Sequence, residues 1–246
     1  MFGNLDSSFE RWWMVGLLAA WAALLFGGFL FGSSPAENQP RMPLWTRIGS
    51  SIVLVIAAWS LVGFGRQETR FLAKTEFLVA VGMSLGLLGD LFMAELLRLG
   101  NRVMSGIGAF GLGHVVYIVA FLGLAGAEAP TTNVGSRWLA WAAWLLFGVV
   151  GWYFVVFRGQ PATTLHYAAL PYALLLASTA GVATGLALLQ PAYIPLAVGA
   201  ALFLTSDLIL AAQLFNGLRF PFIGDVIWLT YGPAQMLIVY SAGRVW

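Results

Sequence analysis

Apolar runs of about 20 residues, the length a helix needs to cross the hydrocarbon of a bilayer, recur eight times along this chain. They lie near 12–32, 45–64, 76–97, 103–126, 138–157, 166–189, 192–214 and 222–243. No other feature limits the fold so strongly. A segment inside a bilayer must satisfy its own backbone, and runs of this length do so as helices. The expectation is an all-α integral membrane bundle of eight transmembrane helices, one polytopic domain over 1–246. Between the runs stand short polar stretches: 33–41, 66–70, 98–102, 130–133, 158–161, Gln190-Pro191 and 216–219, several marked by Gly or Pro. Such connections make successive helices antiparallel neighbours.

Composition enters here as an exclusion. Only 9% of residues are charged, against about 25% in a soluble domain, so no stretch is left over for a separate soluble unit. The chain has no Cys, which removes disulfides, Cys-ligated metals and a thiol nucleophile. A net charge of +2 spread over so few groups gives no reason to expect nucleic acid. The first run follows Asp6, Glu10 and Arg11; it is too long and too weakly basic at its front for a cleaved signal peptide, and is taken as a span. With eight spans, six Lys or Arg fall near each membrane face, so the positive-inside rule gives no orientation. Trp12, Trp13, Trp45, Trp138 and Trp246 stand near segment ends, where indoles anchor at the interface.

Two acids interrupt this apolar pattern. Asp90 lies inside the third run and Asp207 inside the seventh. An ionisable group within a membrane is expensive and marks a functional site by default. The two runs also outline a faint repeat of four-helix halves. Asp90 follows Phe77 by 13 residues and Asp207 follows Ile194 by 13. Each run is followed by one with polar groups inside: His114 and Tyr117 in the fourth, Tyr231 and Gln235 in the eighth. An offset of four spans preserves direction, so both acids are expected about 20 Å from the same face, as a shared site requires.

Small residues Gly82, Gly86 and Ala94 at four-residue steps turn Asp90 into the bundle. His114 shares a face with Phe110, Gly111, Tyr117 and Phe121. Thr205 and Ser206 adjoin Asp207 as hydroxyl donors, and Trp228, Tyr231 and Gln235 line one face of the last span. Each has a plainer reading: hydrogen-bonding acids, a helix-packing histidine, orienting tyrosines and glutamine. Glu95 is expected to pair with Arg98 or Arg102, Glu76 and Asp225 to lie in the headgroup zone, and His166 at the interface.

Several sites cannot be built. Two histidines are too few for a three-His zinc centre. No G-x-S-x-G elbow, Walker loop or dinucleotide fingerprint occurs. Lys74 is the only lysine and stands at a span boundary, which excludes a retinal Schiff base in the last helices.

Four segments in order carry a resemblance: Leu-Leu-Gly-Asp90-Leu-Phe-Met, Gly108-Ala-Phe-x-x-Gly-His114-x-x-Tyr117, Ala201-Leu-Phe-x-x-Ser206-Asp207-x-x-Leu-Ala and Tyr231-x-x-Ala-Gln235. Together they resemble the YhhN family, which includes the mammalian lysoplasmalogenases. One departure is Lys74-Thr75, where Lys-Pro is expected at the head of span three. The resemblance implies an eight-span protein of the cell membrane. It would hydrolyse the vinyl ether bond of a lysoplasmalogen to a fatty aldehyde and a glycerophospho-headgroup, with Asp90 and Asp207 as the catalytic acids. His114, Tyr117, Ser206, Tyr231 and Gln235 would orient substrate or relay protons.

The chemistry suits two carboxyls. Protonation of the β-carbon produces an oxocarbenium ion that water captures. A carboxyl held away from water can stay protonated as the acid, while an ionised partner stabilises the cation and activates water. No metal or nucleotide cofactor is required. The competing class is a transporter that uses the same acids to bind substrate or protons. A third is an intramembrane aspartyl protease, whose Tyr-Asp and Gly-x-Gly-Asp signatures are missing: residues 87–90 read Leu-Leu-Gly-Asp.

Overall fold

The computed structural model describes residues 8–33, 41–64, 70–128, 134–159 and 161–242; the side chains of 70–72, 128 and 242 are outside the description. Most of the polar stretch 33–41, the stretches 66–69 and 130–133, Gln160, Arg66, Arg244 and Trp246 lie outside the described residues. Among the described residues the chain is helical, without strands. The helices are α1 (Ser8–Phe31), α2 (Leu44–Phe64), α3 (Arg70–Met93), α4 (Arg102–Glu128), α5 (Val134–Trp152), α6 (Thr164–Leu189), α7 (Ile194–Asn216) and α8 (Ile223–Ala242). A π-helical turn, Tyr153–Phe157, prolongs α5, and a 3-10 turn, Pro191–Tyr193, leads into α7.

Seven of these, α1 to α7 with their adjoining turns, are long and apolar enough to cross a membrane. The eighth, α8, is less apolar because it carries Asp225, Thr230, Tyr231, Pro233 and Gln235.

Lys74-Thr75 does not interrupt α3, which begins earlier, at Arg70. Its far end is a correction: the apolar run continues to residue 97, but the helix stops at Met93. Glu95 takes a left-handed φ of 58°. The Leu96 N–H bonds back to the Leu91 carbonyl at 3.0 Å and the Glu95 N–H to that of Phe92 at 3.0 Å. This is a Schellman cap without its usual glycine, so neither composition nor hydropathy marks it. Where the turn signal is present it works: Gly217 caps α7 at a φ of 62°.

Packing follows chain order in antiparallel pairs and then closes. Helices α2, α3, α4, α6, α7 and α8 form a ring, each touching the next and α8 returning to α2. Helix α1 packs outside on α2 and α8, and α5 outside on α6; these two are the least buried of the spanning helices. Contacts across the ends fix the directions. The Tyr240 hydroxyl at the end of α8 donates to the Met14 carbonyl near the start of α1 at 2.9 Å. Trp152 Nε1 at the end of α5 donates to the His166 carbonyl in the first turn of α6 at 2.9 Å.

Glycines permit the closest approaches. A Cβ on Gly82 of α3 would stand 2.4 Å from the Tyr117 ring of α4, and one on Gly199 of α7 would stand 2.9 Å from the Ala234 carbonyl oxygen of α8. The core is continuous, running from Met14 and Leu25 through Tyr117 and Phe121 to Phe203 and Tyr240. Leu, Val, Phe and Trp side chains cover much of the outer surface, as expected of helices facing lipid.

Candidate functional site

Between α2, α3, α7 and α8, with Phe110 of α4 at the back, lies a cavity of about 180 Å³. Asp90 and Asp207 both line it, with Arg47, Ser206, Gln213, Trp228 and Tyr231. Helices α3, α7 and α8 supply most of the lining, α2 joins them, and α4 contributes Phe110 alone.

Each acid is held by a hydroxyl from the helix before its own. The Ser51 hydroxyl on α2 donates to Asp90 Oδ2 at 2.6 Å, and the Tyr172 hydroxyl on α6 donates to Asp207 Oδ2. Asp90 is buried, at 5% exposure; Asp207 is partly open to the cavity.

A chain of hydrogen bonds reaches Asp90 from within. The Tyr117 hydroxyl donates to Gln235 Oε1 at 3.2 Å, and Gln235 Nε2 donates to the Tyr231 hydroxyl at 3.2 Å. That leaves the Tyr231 hydroxyl hydrogen for Asp90, which lies within its reach. Gly86 makes room for this chain, since a Cβ there would come within 2.8 Å of Gln235 Nε2. Three residues singled out from two spans thus form one line ending on one acid.

His114 and Ser206 are placed differently. His114 does not line the cavity. It is buried beyond Phe110 and Phe203, its ring 4.5 Å from that of Phe203, with Nδ1 2.9 Å from the Thr179 hydroxyl. Thr179 spends its own hydrogen on the Leu175 carbonyl, so His114 donates from Nδ1. Its Nε2 has no hydrogen-bond partner among the described residues. Ser206 does line the cavity, but its hydroxyl donates to the Ile227 carbonyl at 3.0 Å. Thr205 is exposed and bonded to the Ala201 carbonyl.

Asp90 precedes the α3 end at Met93 by three residues, about 4.5 Å along the axis; Asp207 precedes the α7 end at Asn216 by nine, about 13.5 Å. Both acids lie in the C-terminal halves of their helices and line the one cavity. Asp225 and Glu76 are buried against the protein, at 1% and 4% exposure. Asp225 accepts from the Arg41 backbone N–H at 2.8 Å and from Arg41 Nε at 3.1 Å. His166 is buried in the first turn of α6, against Phe215. Glu95 pairs with Arg102 at 2.7 Å, as expected.

Sequence reasoning missed Ser51, Tyr172 and Arg47. Arg47 had been counted only as a charge near a membrane face, and Ser51 is an ordinary small residue in a span. Tyr172 had a signal: it follows Pro171 inside α6, and a phenol that deep in a span needs a partner.

A second cavity of about 70 Å³ lies on the other side of Asp207, between α4, the π turn, α6 and α7. Its walls are apolar, with Ala169, Leu176, Leu204 and Leu214 among them, and Tyr172 joins Asp207 there. Met93, Phe110, Asp207 and Leu210 line both cavities. Asp207 therefore stands on a partition between a polar space and an apolar one.

The YhhN family model matches residues 42–242, which include every helix of the ring and both acids. Neither a curated protein nor a solved structure matches the chain. The chain belongs to the YhhN family.

Proposed function

We propose that this member of the YhhN family is a hydrolase of eight membrane spans, with α8 as the eighth, that cleaves the vinyl ether bond of a lysoplasmalogen in the cell membrane. The observation that carries the reading is the pair of acids on one cavity whose partition opens to an apolar space. The alkenyl chain occupies the apolar cavity and extends between helices toward lipid, and the glycerophospho-headgroup lies on the polar side. The vinyl ether carbons then pass Asp207, with Asp90 on the same polar cavity.

The reaction needs one carboxyl protonated and one ionised. The first gives its proton to the β-carbon, and the double-bond electrons form that C–H bond, leaving an oxocarbenium ion. Water adds to the α-carbon and yields a proton to the second carboxylate. The resulting hemiacetal collapses to aldehyde and the free glycerol hydroxyl, so one water is consumed overall. Tyr172 and the Tyr117–Gln235–Tyr231 line hold the two carboxyls in place. Ser51 and Tyr172 serve α3 and α7 alike from the preceding helix, and α1 and α5 are both peripheral, which favours two related halves.

The same paired halves favour a carrier as the second reading, with the acids as binding or protonation sites. Purified protein incubated with a lysoplasmalogen in detergent is expected to release fatty aldehyde. Uptake into sealed vesicles with no aldehyde would decide for the carrier.

A further inference from the structure

Arg47 is a charged group on the cavity that forms no ion pair and no side-chain hydrogen bond among the described residues. It stands in the first turn of α2, one turn before Ser51, so it lies on the outer side of Asp90. Its guanidinium carbon sits 5.5 Å from the centroid of the Trp228 ring. It is near enough to Asp90 and Asp225 to interact with their charges, yet among the described residues it forms no ion pair, and its buried Nε has no hydrogen-bond partner. Arg41 already takes Asp225 through both carboxylate oxygens. A guanidinium whose fork is free, half buried beside an indole, is built for an oxyanion with two acceptor oxygens in a plane.

We infer that Arg47 binds the phosphate group of a single-chain phospholipid, resting on the proposed hydrolase reading for the orientation of the chain. Geometry assigns the order of the parts. Arg47 lies one turn nearer the start of α2 than Ser51, which bonds Asp90, and Asp207 lines both this cavity and the apolar one. An amphiphile with its phosphate on Arg47 places its glycerol past Asp90 and the first chain carbons at Asp207, where the apolar cavity begins. Arg47 then selects phosphate-bearing lipids over neutral glycerol ethers and fixes which bond stops beside the acids.

The test is direct binding, which requires no turnover and so stands apart from the hydrolase reading. Three probes are titrated: a saturated alkyl lysophosphocholine, which has no vinyl ether to cleave, the matching alkylglycerol, and free glycerophosphocholine. Wild-type protein is expected to bind the alkyl lysophosphocholine roughly ten- to a hundredfold more tightly than the alkylglycerol, the worth of a hydrogen bond to a charged group. Arg47→Gln should erase that preference and leave alkylglycerol binding unchanged; Arg47→Lys should keep part of it. Glycerophosphocholine should bind far more weakly than the lipid, which identifies a lipid headgroup over a free phosphate compound. Equal wild-type affinity for the two lipids would overturn the inference without any variant. So would an Arg47→Gln loss of the same size for both lipids, which is what a counter-ion or packing role alone predicts.

Discussion

At the scale of the residue, the two acids differ in what holds them, and that difference can be measured. Asn preserves volume and one acceptor but cannot give or take the catalytic proton. Asp90→Asn and Asp207→Asn are each expected to cut aldehyde release by about 10²–10⁴-fold, with helical circular dichroism unchanged; near wild-type rates in both would make the acids structural. Tyr172→Phe removes one hydrogen bond to Asp207 and nothing else of size. A bond to a charged group contributes about 1.5–3 kcal/mol, so a loss of roughly tenfold or more in kcat is expected, smaller than for Asp207→Asn. His114 makes the opposite prediction. It lies behind Phe110 and Phe203 and bonds Thr179, so His114→Leu should lower the thermal midpoint while turnover stays near that of the wild type. A large loss of rate with unchanged stability would return His114 to the proton path.

At the scale of the element, the ring depends on where glycine lets two helices meet. Tyr117 is fully buried, and its hydroxyl is committed to Gln235. A Cβ on Gly82 would stand 2.4 Å from its ring, so either α3 and α4 part or the Tyr117–Gln235 bond breaks. Gly82→Ala is expected to destabilise by about 1–3 kcal/mol through overpacking, read as a lower thermal midpoint in detergent. Gly108 faces open space on the next helix, so Gly108→Ala should be neutral or slightly stabilising, Ala being the better helix former. Equal effects at the two positions would remove the packing argument.

For the whole molecule, the proposed reaction supplies the discriminating measurement. Protonation of carbon puts a proton transfer in the slow step, so turnover in heavy water should be clearly slower, and the pH profile should be bell-shaped because one carboxyl must be protonated and the other ionised. Chelator treatment should leave the rate unchanged, since two His and no Cys leave little from which to assemble a catalytic metal site. A rate insensitive to solvent deuterium would place the slow step elsewhere, in lipid entry or product release. The same fold suits the proposed lipid substrate: both acids line one cavity within the ring, and an apolar cavity adjoins Asp207.

Hydropathy, the spacing of the runs and the two interrupting acids were enough to read the helices, their order and their antiparallel neighbours. Helix formation in a bilayer is a local requirement, met residue by residue along the chain. The same local signals placed Asp90, Asp207 and the polar faces carrying Tyr117, Tyr231 and Gln235. They could not show that α2 and α6 supply Ser51 and Tyr172 to the acids, or that Arg47 turns onto the cavity. Those contacts depend on which helices meet when the ring closes and on rotation about each axis, set by side-chain packing between segments distant in sequence. The end of α3 was hidden for a related reason. Leu96 and Leu97 continue the apolar run, while a left-handed Glu95 and two backbone hydrogen bonds stop the helix. Backbone geometry, and not hydropathy, set where α3 ends.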